Sequence, residues 1–524
     1  MRKQPYPVAL LGGVNTSLDP VFLMDRESSK IENVRLHKGL VKKGRGSQLF
    51  GTAANTSLPL DGAVVDISSF IMYSGDANRV ISTENYSYRY SSSNGGTYTK
   101  LNANNAWTGG LSNRFTTIST FTANGNDAFV ITNGVDSIFT WDGGLASDFT
   151  ALGGWANITC KALTSFASRL VAGYTTESNI ANPRRVRWST AGNIANTNGT
   201  GSGFVDLVET ADNVVKLVVL QNRLFVFKET SLWELVHVGG STVFQPSVLM
   251  KGVGCAAPGG VVETGDAVVF YSDHDIYMFD GGSLTSIGNN VREGLFNREL
   301  REVNEDYISR TCSLYNKSMK KVIFSLPGRD ESIPTKQYTY DLALGEWVAR
   351  TKEVTAYGEF RAATSVSWDD LVGDWANLVG IWSDLSGSAD PSSLLEAEPG
   401  ARLLLMGDSN GYVYIDTGKI YSNDYMCYDS KDFVLGYSHR WIELFVEYLG
   451  DPSNVSFSLD SGNSWSPAGN LSTANNWSTF RLPLNVSGSK IRFRFESSSN
   501  RFELKYFVPY YIPRSRVANV ATGA

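Results

Sequence analysis

The chain has 524 residues, of which 12% are aromatic and 19% are charged, and 50 are glycine. This composition indicates an ordered, turn-rich β protein and excludes a largely disordered one. No stretch approaches the roughly 18 consecutive apolar residues of a membrane-spanning helix, and a net charge of −6 argues against a surface built mainly to grip nucleic acid.

The four cysteines are scattered and form no CxxC pair, which predicts free buried thiols rather than a disulfide framework or a zinc site. The opening MRKQPYPVALLGGVN has a short apolar run broken by prolines and glycines, and it is a poor secretion signal. We therefore expect synthesis in a reducing cytoplasm.

Residues 1–50 differ in composition from the rest of the chain. They contain an Asp-Pro turn at Asp19 and a basic cluster that includes Arg35, Lys42, Lys43 and Arg45. We interpret this segment as an N-terminal docking arm with two small strands. A stretch of mixed charges this short is more typical of a solvated surface than of a nucleic-acid site.

One repeated pattern dominates residues 51–424, and it is clearest in NRLFVFKETSLWELVHVGG (222–240) and GDAVVFYSDHDIYMFDGG (265–282). Each unit has two short strands rich in Val, Phe, Leu and Tyr, joined across Asp, Gly or Ser, which predicts a β-hairpin. The pattern recurs at 78–91, 127–144, 168–190, 320–347 and 401–418.

The second strand of many units ends in two aromatic residues separated by one position. These pairs are Tyr88/Tyr90, Phe139/Trp141, Tyr277/Phe279, Tyr338/Tyr340 and Tyr412/Tyr414. This spacing places both rings on one face of a strand, where they can pack against a neighbouring sheet. Asp142, Asp280 and Asp341 follow three of the pairs and suit a turn.

Units that recur roughly every 45 to 75 residues are typical of propellers and solenoids. We therefore predict an all-β fold, a β-propeller of about six or seven four-stranded blades over residues 51–424. A pair of β-sandwiches is the alternative. Residues 365–399, which contain Trp368, Trp375 and Trp382, interrupt the repeat, and their glycines favour an inserted loop packed by the tryptophans.

From residue 425 the pattern changes to longer alternating strands. Ile491, Phe493 and Phe495 alternate with Arg492 and Arg494, which gives one strand a buried face and a solvated face. We predict an antiparallel β-sandwich over residues 425–515 and a flexible tail over residues 516–524.

The most specific short motif is SLDSGNSW at 458–465. It resembles the Asp box, S-x-D-x-G-x-[ST]-W, of sialidases and other propellers, in which the carboxylate bonds turn amides and the tryptophan packs below. The resemblance implies a structural turn formed by Ser458, Asp460, Gly462 and Trp465. The arginine cluster, acid and tyrosine nucleophile of a sialidase cannot be assembled from the sequence.

Other patterns that could carry chemistry are weak. Asp273-His274-Asp275 could suggest a metal site, but it lies at a predicted turn where successive side chains diverge, and a solvated turn is favoured. No GxSxG, HExxH, P-loop or dinucleotide fingerprint occurs. We expect no catalytic residues, no metal and no cofactor.

Three segments together resemble the tail nozzle (tail hub) proteins of short-tailed bacteriophages. They are GGVNTSLDP (12–20) with IENVRLHKGLVKKGRG (31–46), the propeller span 185–291, and YYIPRSR (510–516). The resemblance implies a structural virion protein that forms a ring of about six copies below the portal and its adaptor. The lumen of the ring would continue the DNA channel and help retain the genome until ejection.

The partners implied by the resemblance are further copies of the chain, the head-tail adaptor or portal, tail fibres or a tail needle, and passing DNA without sequence-specific binding. We expect the N-terminal arm to become ordered on a neighbouring subunit. The candidate assembly contacts are Asn15, Asp19, Asn33, Arg35, Lys42, Lys43, Arg45, Arg514 and Arg516. A carbohydrate-binding or glycan-active propeller of a receptor-binding tail component is the alternative function.

Overall fold

The computed structural model describes residues 3–6, 12–37, 39–50, 58–73, 77–91, 97–145, 147–240, 242–361, 402–416, 424–451, 453–498 and 501–513. Arg514, Arg516 and the tryptophan-rich segment 365–399 lie outside these ranges. The described part is mostly β-strand, with a short helix α1 (Arg292–Phe296) and 3-10 turns at Pro258–Gly260 and Glu305–Arg310. None of its helices is long and apolar enough to cross a membrane.

Short strands form within the first fifty residues. They are β1 (Gln4–Pro5), β2 (Lys30–Glu32), β3 (Val34–His37), β4 (Leu40–Lys43) and β5 (Gln48–Leu49). β3 and β4 form a hairpin in which Leu36 pairs with Val41.

Each of the seven hairpins predicted from the repeat is the central pair of a four-stranded antiparallel sheet, so the propeller has seven blades. Blade 1 comprises β6 (Val64–Ile71), β7 (Ala77–Thr83), β8 (Ser87–Ser91) and β9 (Thr97–Lys100). Blade 2 comprises β10 (Thr116–Phe121), β11 (Asp127–Thr132), β12 (Phe139–Trp141) and β13 (Thr150–Ala151). Blade 3 comprises β14 (Ile158–Phe166), β15 (Arg169–Glu177), β16 (Ile180–Trp188) and β17 (Gly203–Asp206).

Blades 4 to 7 follow the same plan. Blade 4 comprises β18 (Val214–Leu220), β19 (Arg223–Lys228), β20 (Ser231–His237) and β21 (Phe244–Lys251), and blade 5 comprises β22 (Val261–Glu263), β23 (Val268–Tyr271), β24 (Ile276–Phe279) and β25 (Leu284–Ser286). Blade 6 comprises β26 (Cys312–Asn316), β27 (Lys321–Pro327), β28 (Pro334–Asp341) and β29 (Glu346–Thr351). Blade 7 comprises β30 (Ala356–Arg361), β31 (Arg402–Gly407), β32 (Val413–Asp416) and β5. The β-propeller prediction is confirmed.

A strand from the start of the chain closes the ring. β5 is the outermost strand of blade 7, where Leu49 pairs with Tyr414. The adjacent Phe50 is fully buried, and its carbonyl accepts a hydrogen bond from Tyr98 Oη of blade 1 at 2.7 Å. The segment before blade 1 therefore pairs with blade 7 through β5 and contacts blade 1 through Phe50, which closes the ring and leaves only short edges.

Aromatic side chains fill the spaces between consecutive blades. Phe70 and Trp141 pack between blades 1 and 2 with ring centres 5.9 Å apart. Phe225 and Phe279 meet edge to face at 5.1 Å between blades 4 and 5. Because Trp141 and Phe279 are each the second ring of a predicted aromatic pair, the predicted packing between sheets is confirmed at these positions.

The strands after the propeller form a second unit. They are β33 (Met426–Asp429), β34 (Phe433–Gly450), β35 (Ser453–Ser458), β36 (Ser466–Leu471), β37 (Ala474–Ser497) and β38 (Phe502–Ile512). The long strand β37 is shared by two antiparallel layers, because its first part pairs with β34 and its last residues pair with β33 and β35. This is the predicted C-terminal β-sandwich, and its sheet is nearly closed.

Residues 30–43 belong to this sandwich, so the interpretation of the segment as a solvated arm is wrong there. β2 pairs with β33, which places Ile31 opposite Tyr428, and β4 pairs with β38, which places Val41 opposite Leu504. Ile31, Leu36 and Val41 are at most 5% exposed. Each short strand has one apolar face, and burial of that face against the C-terminal strands stabilises it.

The propeller and the sandwich share one core. A single apolar cluster includes Tyr271 of blade 5, Trp347 of blade 6 and Tyr428 of β33, each at most 3% exposed. Val14 belongs to the same cluster, and its backbone N–H donates to the Trp347 carbonyl at 2.8 Å. The start of the chain therefore runs between the two units and packs on both.

Candidate functional site

The candidate assembly asparagines make contacts within the chain. Asn15 and Asn33 are both 4% exposed. Asn15 Nδ2 donates to Glu27 Oε1 at 3.0 Å, and Asn33 Nδ2 donates to the Tyr425 carbonyl at 2.6 Å. Asn33 has a φ of 53°, a left-handed conformation that Asn adopts more readily than most residues. Both side chains therefore shape the segment rather than face a partner.

Two candidate lysines are also used internally. Lys43 is fully buried, and its Nζ donates to the Ser497 carbonyl at 3.3 Å. Burial lowers the pKa of Lys43. Lys42 Nζ lies 2.8 Å from Glu503 Oε2, and the Lys42 charge helps to lower the pKa of Glu503 against the effect of its burial. These cations tie β4 to the C-terminal strands.

The candidate arginines that the structure describes lie where the first fifty residues meet the propeller and the sandwich. Arg35 is half-buried on β3. The Arg45 carbonyl accepts a hydrogen bond from Arg350 Nη2 of blade 6 at 2.9 Å, and Arg350 Nη2 also lies 3.5 Å from Asp424 Oδ2. These contacts hold the chain in place before β5 enters blade 7.

Asp19 is exposed and lies in a loop that we call the 18–24 loop. Its Oδ1 accepts a hydrogen bond from the backbone N–H of Val21 at 2.9 Å, which forms a turn. Three apolar side chains of this loop face solvent, since Leu18 is 50%, Phe22 is 75% and Met24 is 61% exposed. The 18–24 loop therefore combines an acidic turn with an exposed apolar surface.

The Asp-box segment forms the turn between β35 and β36. Asp460 Oδ1 accepts hydrogen bonds from Ser458 Oγ at 2.6 Å and from the backbone N–H of Ser464 at 2.9 Å. The backbone N–H of Gly462 donates to Ser458 Oγ at 2.8 Å. These hydrogen bonds hold the pKa of Asp460 below its usual value. The carboxylate is thus engaged within the turn.

Trp465 packs on one of two Arg–Asp ion pairs in the sandwich. The Arg494 guanidinium lies 3.9 Å from the Trp465 ring centre, and its Nη2 is 2.6 Å from Asp429 Oδ2. Arg492 Nε lies 2.7 Å from Asp432 Oδ1, and these two side chains are 7% and 1% exposed. The Asp-box tryptophan therefore packs on Arg494, a cation that Asp429 already neutralises.

A cavity of about 130 Å³ is lined by the first residues of the innermost strands and by the segments before them. We call it the axial cavity, because its lining comes from blades 1, 2, 4, 5, 6 and 7 and so surrounds the propeller axis. The side chains with polar groups include Asp66, Arg114, Lys216, Cys312 and Tyr357. These residues are far apart in the sequence, so the cluster cannot be recognised from the sequence and forms only when the ring closes.

The charged groups of the axial cavity are only partly open to solvent. Asp66 Oδ2 accepts a hydrogen bond from Ser68 Oγ at 2.5 Å, and Arg114 Nη1 donates to the Thr355 carbonyl at 2.9 Å. Burial raises the pKa of the Asp66 carboxyl and lowers the pKa values of the Arg114 guanidinium and the Lys216 ammonium.

Neither a reactive thiol in the axial cavity nor a metal-ligand cluster is found among the described residues. Burial raises the pKa of Cys312 in the axial cavity to about 12, so its thiol is protonated at neutral pH. No group of three or more His, Cys, Asp or Glu side chains in the described ranges could hold a metal ion.

The prediction that successive side chains of the Asp273-His274-Asp275 turn diverge holds for Asp275 but not for Asp273, whose Oδ1 contacts His274 Nδ1. His274 Nε2 lies 3.0 Å from Tyr277 Oη and is exposed, whereas Asp275 is buried and accepts a hydrogen bond from Ser286 Oγ at 2.7 Å. Arg292 also contacts Asp275. The buried carboxylate therefore stabilises blade 5 and does not share a ligand site with His274.

No protein-family model matches the chain, and comparison with curated proteins finds no match. Solved structures with a similar fold include a streptogramin B lyase, at 9% identity and a TM-score of 0.38, over 71% of this chain and 96% of that one. Another is the WD40 domain of Neurospora crassa Pan2, at 8% identity and a TM-score of 0.36, over 71% and 94% of the two chains.

A third similar structure is an exo-beta-1,3-galactanase from Phanerochaete chrysosporium, at 8% identity and a TM-score of 0.27. That match covers 88% of this chain and all of the galactanase chain. These likenesses concern the fold alone, so the function has to be argued from the residues of this chain.

Proposed function

We propose that this protein is a structural component of a phage virion, the nozzle or hub of a short tail. Copies of the chain form a closed ring of about six subunits below the portal and its adaptor. The observation that carries this proposal is the resemblance of residues 12–20, 31–46, 185–291 and 510–516 to tail nozzle proteins. The ring extends the DNA channel and helps to retain the genome until ejection.

The size of the axial cavity bears on where DNA would pass. A cavity of about 130 Å³ is far smaller than a DNA duplex, so we propose that DNA does not pass through the propeller itself. The DNA channel of the proposed assembly therefore lies between copies. A net charge of −6 suits such a lumen, because a strongly basic wall would hold the phosphate backbone.

The 18–24 loop supports a role in assembly. Phe22 and Met24 are 75% and 61% exposed, although most of the other residues that the structure describes between 12 and 50 are buried or half-buried. Exposed apolar side chains of this kind are typical of surfaces that become covered by a partner. We propose that the loop contacts a neighbouring copy or the adaptor, and that tail fibres or a tail needle attach elsewhere.

An aromatic surface on the sandwich favours the alternative function. Trp477 is 40% exposed and Lys505 Nζ lies 5.6 Å from its ring centre, while Phe445 and Tyr506 stack at 6.2 Å. Exposed aromatic rings beside a cation can stack on sugars. This arrangement would suit a carbohydrate-binding or glycan-active propeller of a receptor-binding tail component.

Assembly can be tested with the purified full chain, alone and with the phage adaptor, by mass photometry and negative-stain electron microscopy. We expect a closed ring or a stable adaptor complex that is lost in the Phe22→Ser/Met24→Ser variant. Leu145→Ser is the matched control, because Leu145 is 80% exposed on blade 2 and should be dispensable.

A wild-type chain that forms neither a ring nor an adaptor complex would contradict the proposal. Binding on a glycan array that disappears in Trp477→Ala would favour the carbohydrate function instead. Release of sugar from host polysaccharide would identify the glycan-active form of that alternative.

A further inference from the structure

The axial cavity is built from side chains that the proposed assembly role does not use. Asp66 is on β6 of blade 1, Arg114 precedes β10 of blade 2 and Lys216 is on β18 of blade 4. Asp66 and Lys216 are each the third residue of the first strand of their blade, and Arg114 lies two residues before the first strand of blade 2. Closure of the ring therefore gathers them around one small space.

The two cations in this space are not neutralised by direct contact. Among the described residues, neither Arg114 nor Lys216 forms a direct ion pair with a carboxylate. The Arg114 guanidinium donates one hydrogen bond to the Thr355 carbonyl. The Asp66 carboxylate is engaged by Ser68 Oγ. Both cations therefore retain donors that can reach a guest in the cavity.

Arg114 and Lys216 also act on each other. Burial lowers the pKa of Lys216 and the charge of Arg114 lowers it further, whereas the charges of Glu263 and Asp66 act in the opposite direction. Two cations that share a partly desolvated space repel, and an anion between them would offset the repulsion. Asp66 attracts both cations, and Glu263 attracts Lys216, but Glu263 is outside the cavity lining and also faces Lys317. Within the lining, two cations therefore face the single carboxylate of Asp66.

We propose that the axial cavity binds a small oxyanion between the Arg114 guanidinium and the Lys216 ammonium. Planar guanidinium donors suit the oxygens of phosphate or a short carboxylate, and the ammonium adds a point charge. A cavity of about 130 Å³ can hold such an ion with one or two waters, but not a nucleotide or a strand of DNA. The Asp66 carboxylate limits the site to ions of low charge.

Calorimetric titration of the full chain with inorganic phosphate and, separately, with acetate tests this site. We expect saturable binding with one site per chain for at least one of the two ions, and the comparison identifies which chemistry the site prefers. Lys216→Gln should weaken binding by about tenfold or more, and Arg114→Lys should weaken it less because the charge remains.

Lys336→Gln is the matched control, because Lys336 is on β28, where its Nζ lies 3.2 Å from Thr351 Oγ1 and away from the cavity. The Lys336→Gln variant should bind phosphate and acetate with the same affinity as the wild type. Thermal unfolding of the wild type in phosphate and in chloride at equal ionic strength gives a second measure, since a specific ligand raises the midpoint beyond the effect of screening. Absence of saturable binding by both ions, or equal binding by Lys216→Gln and wild type, overturns the proposal.

Discussion

Deletion of residues 1–45 should unfold the C-terminal sandwich while blades 2 to 4 remain folded. The deletion removes β2, β3 and β4 and with them the buried side chains of Ile31, Val34, Leu36 and Val41. Full burial of one such side chain contributes about 1.5–3 kcal/mol, so the four together contribute about 6–12 kcal/mol. This is an upper value, but it is comparable with the whole stability of a domain, about 5–15 kcal/mol.

Hydrogen–deuterium exchange with mass spectrometry measures this effect segment by segment. In the truncated chain we expect β34 and β38 to lose protection, because β38 loses its pairing with β4 and the shared core loses the apolar side chains of β2 to β4. Deletion of residues 1–11 is the control, since it removes β1 but leaves β2 to β4 in place. Full protection of β34 and β38 in the longer deletion would refute the conclusion that these strands need the N-terminal segment.

Three substitutions test other parts of the structure. Asp432→Asn leaves the Arg492 guanidinium buried without its carboxylate and should destabilise the chain by about 3–5 kcal/mol in urea unfolding. The double variant Asp432→Leu/Arg492→Met, which removes both charges, should lose much less stability than Asp432→Asn. Equal destabilisation of the single and the double variant would argue against the unpaired Arg492 charge as the cause. Burial raises the pKa of Glu346 from 4.5 to about 7, so the folded state binds more protons than the unfolded state and loses stability as pH rises through this interval. Glu346→Gln should therefore be more stable than wild type by about 1 kcal/mol above neutral pH, a value reduced because Glu346 is partly exposed. Thermal unfolding at a series of pH values tests this. The expectation is refuted if the stability difference between the variant and wild type does not grow as pH rises between the two pKa values. Trp465→Ala removes the contact with Arg494 and should lower stability by about 1 kcal/mol in thermal unfolding, whereas Trp465→Phe should lose less.

The hairpins were predictable because their signals are local. In blade 4, for example, Leu224 pairs with Leu235 and Val226 with Trp233, and both the alternation and the turn can be read within twenty residues. The number of blades could not be fixed in the same way. The fourth strand of blade 7 is β5, a two-residue strand far from the rest of its sheet in sequence.

The first fifty residues show the limit of such local patterns. Strands of three or four residues carry too little alternation to distinguish a solvated arm from an integral part of a sheet. The partners of Ile31 and Val41 are Tyr428 and Leu504, almost 400 residues or more away, and burial against them decides the outcome. Charged residues in the segment, such as Lys43, suggest exposure although this side chain is fully buried.

The sequence by itself determined the fold class and the repeating unit, since periodicity of two and the turn residues act between near neighbours. Only the tertiary structure decided which strands pair with one another when they are far apart in the sequence. The axial cavity is the clearest case, because Asp66, Arg114 and Lys216 come from three blades and meet only when the ring closes. Their proximity depends on ring geometry, and no spacing along the chain records it.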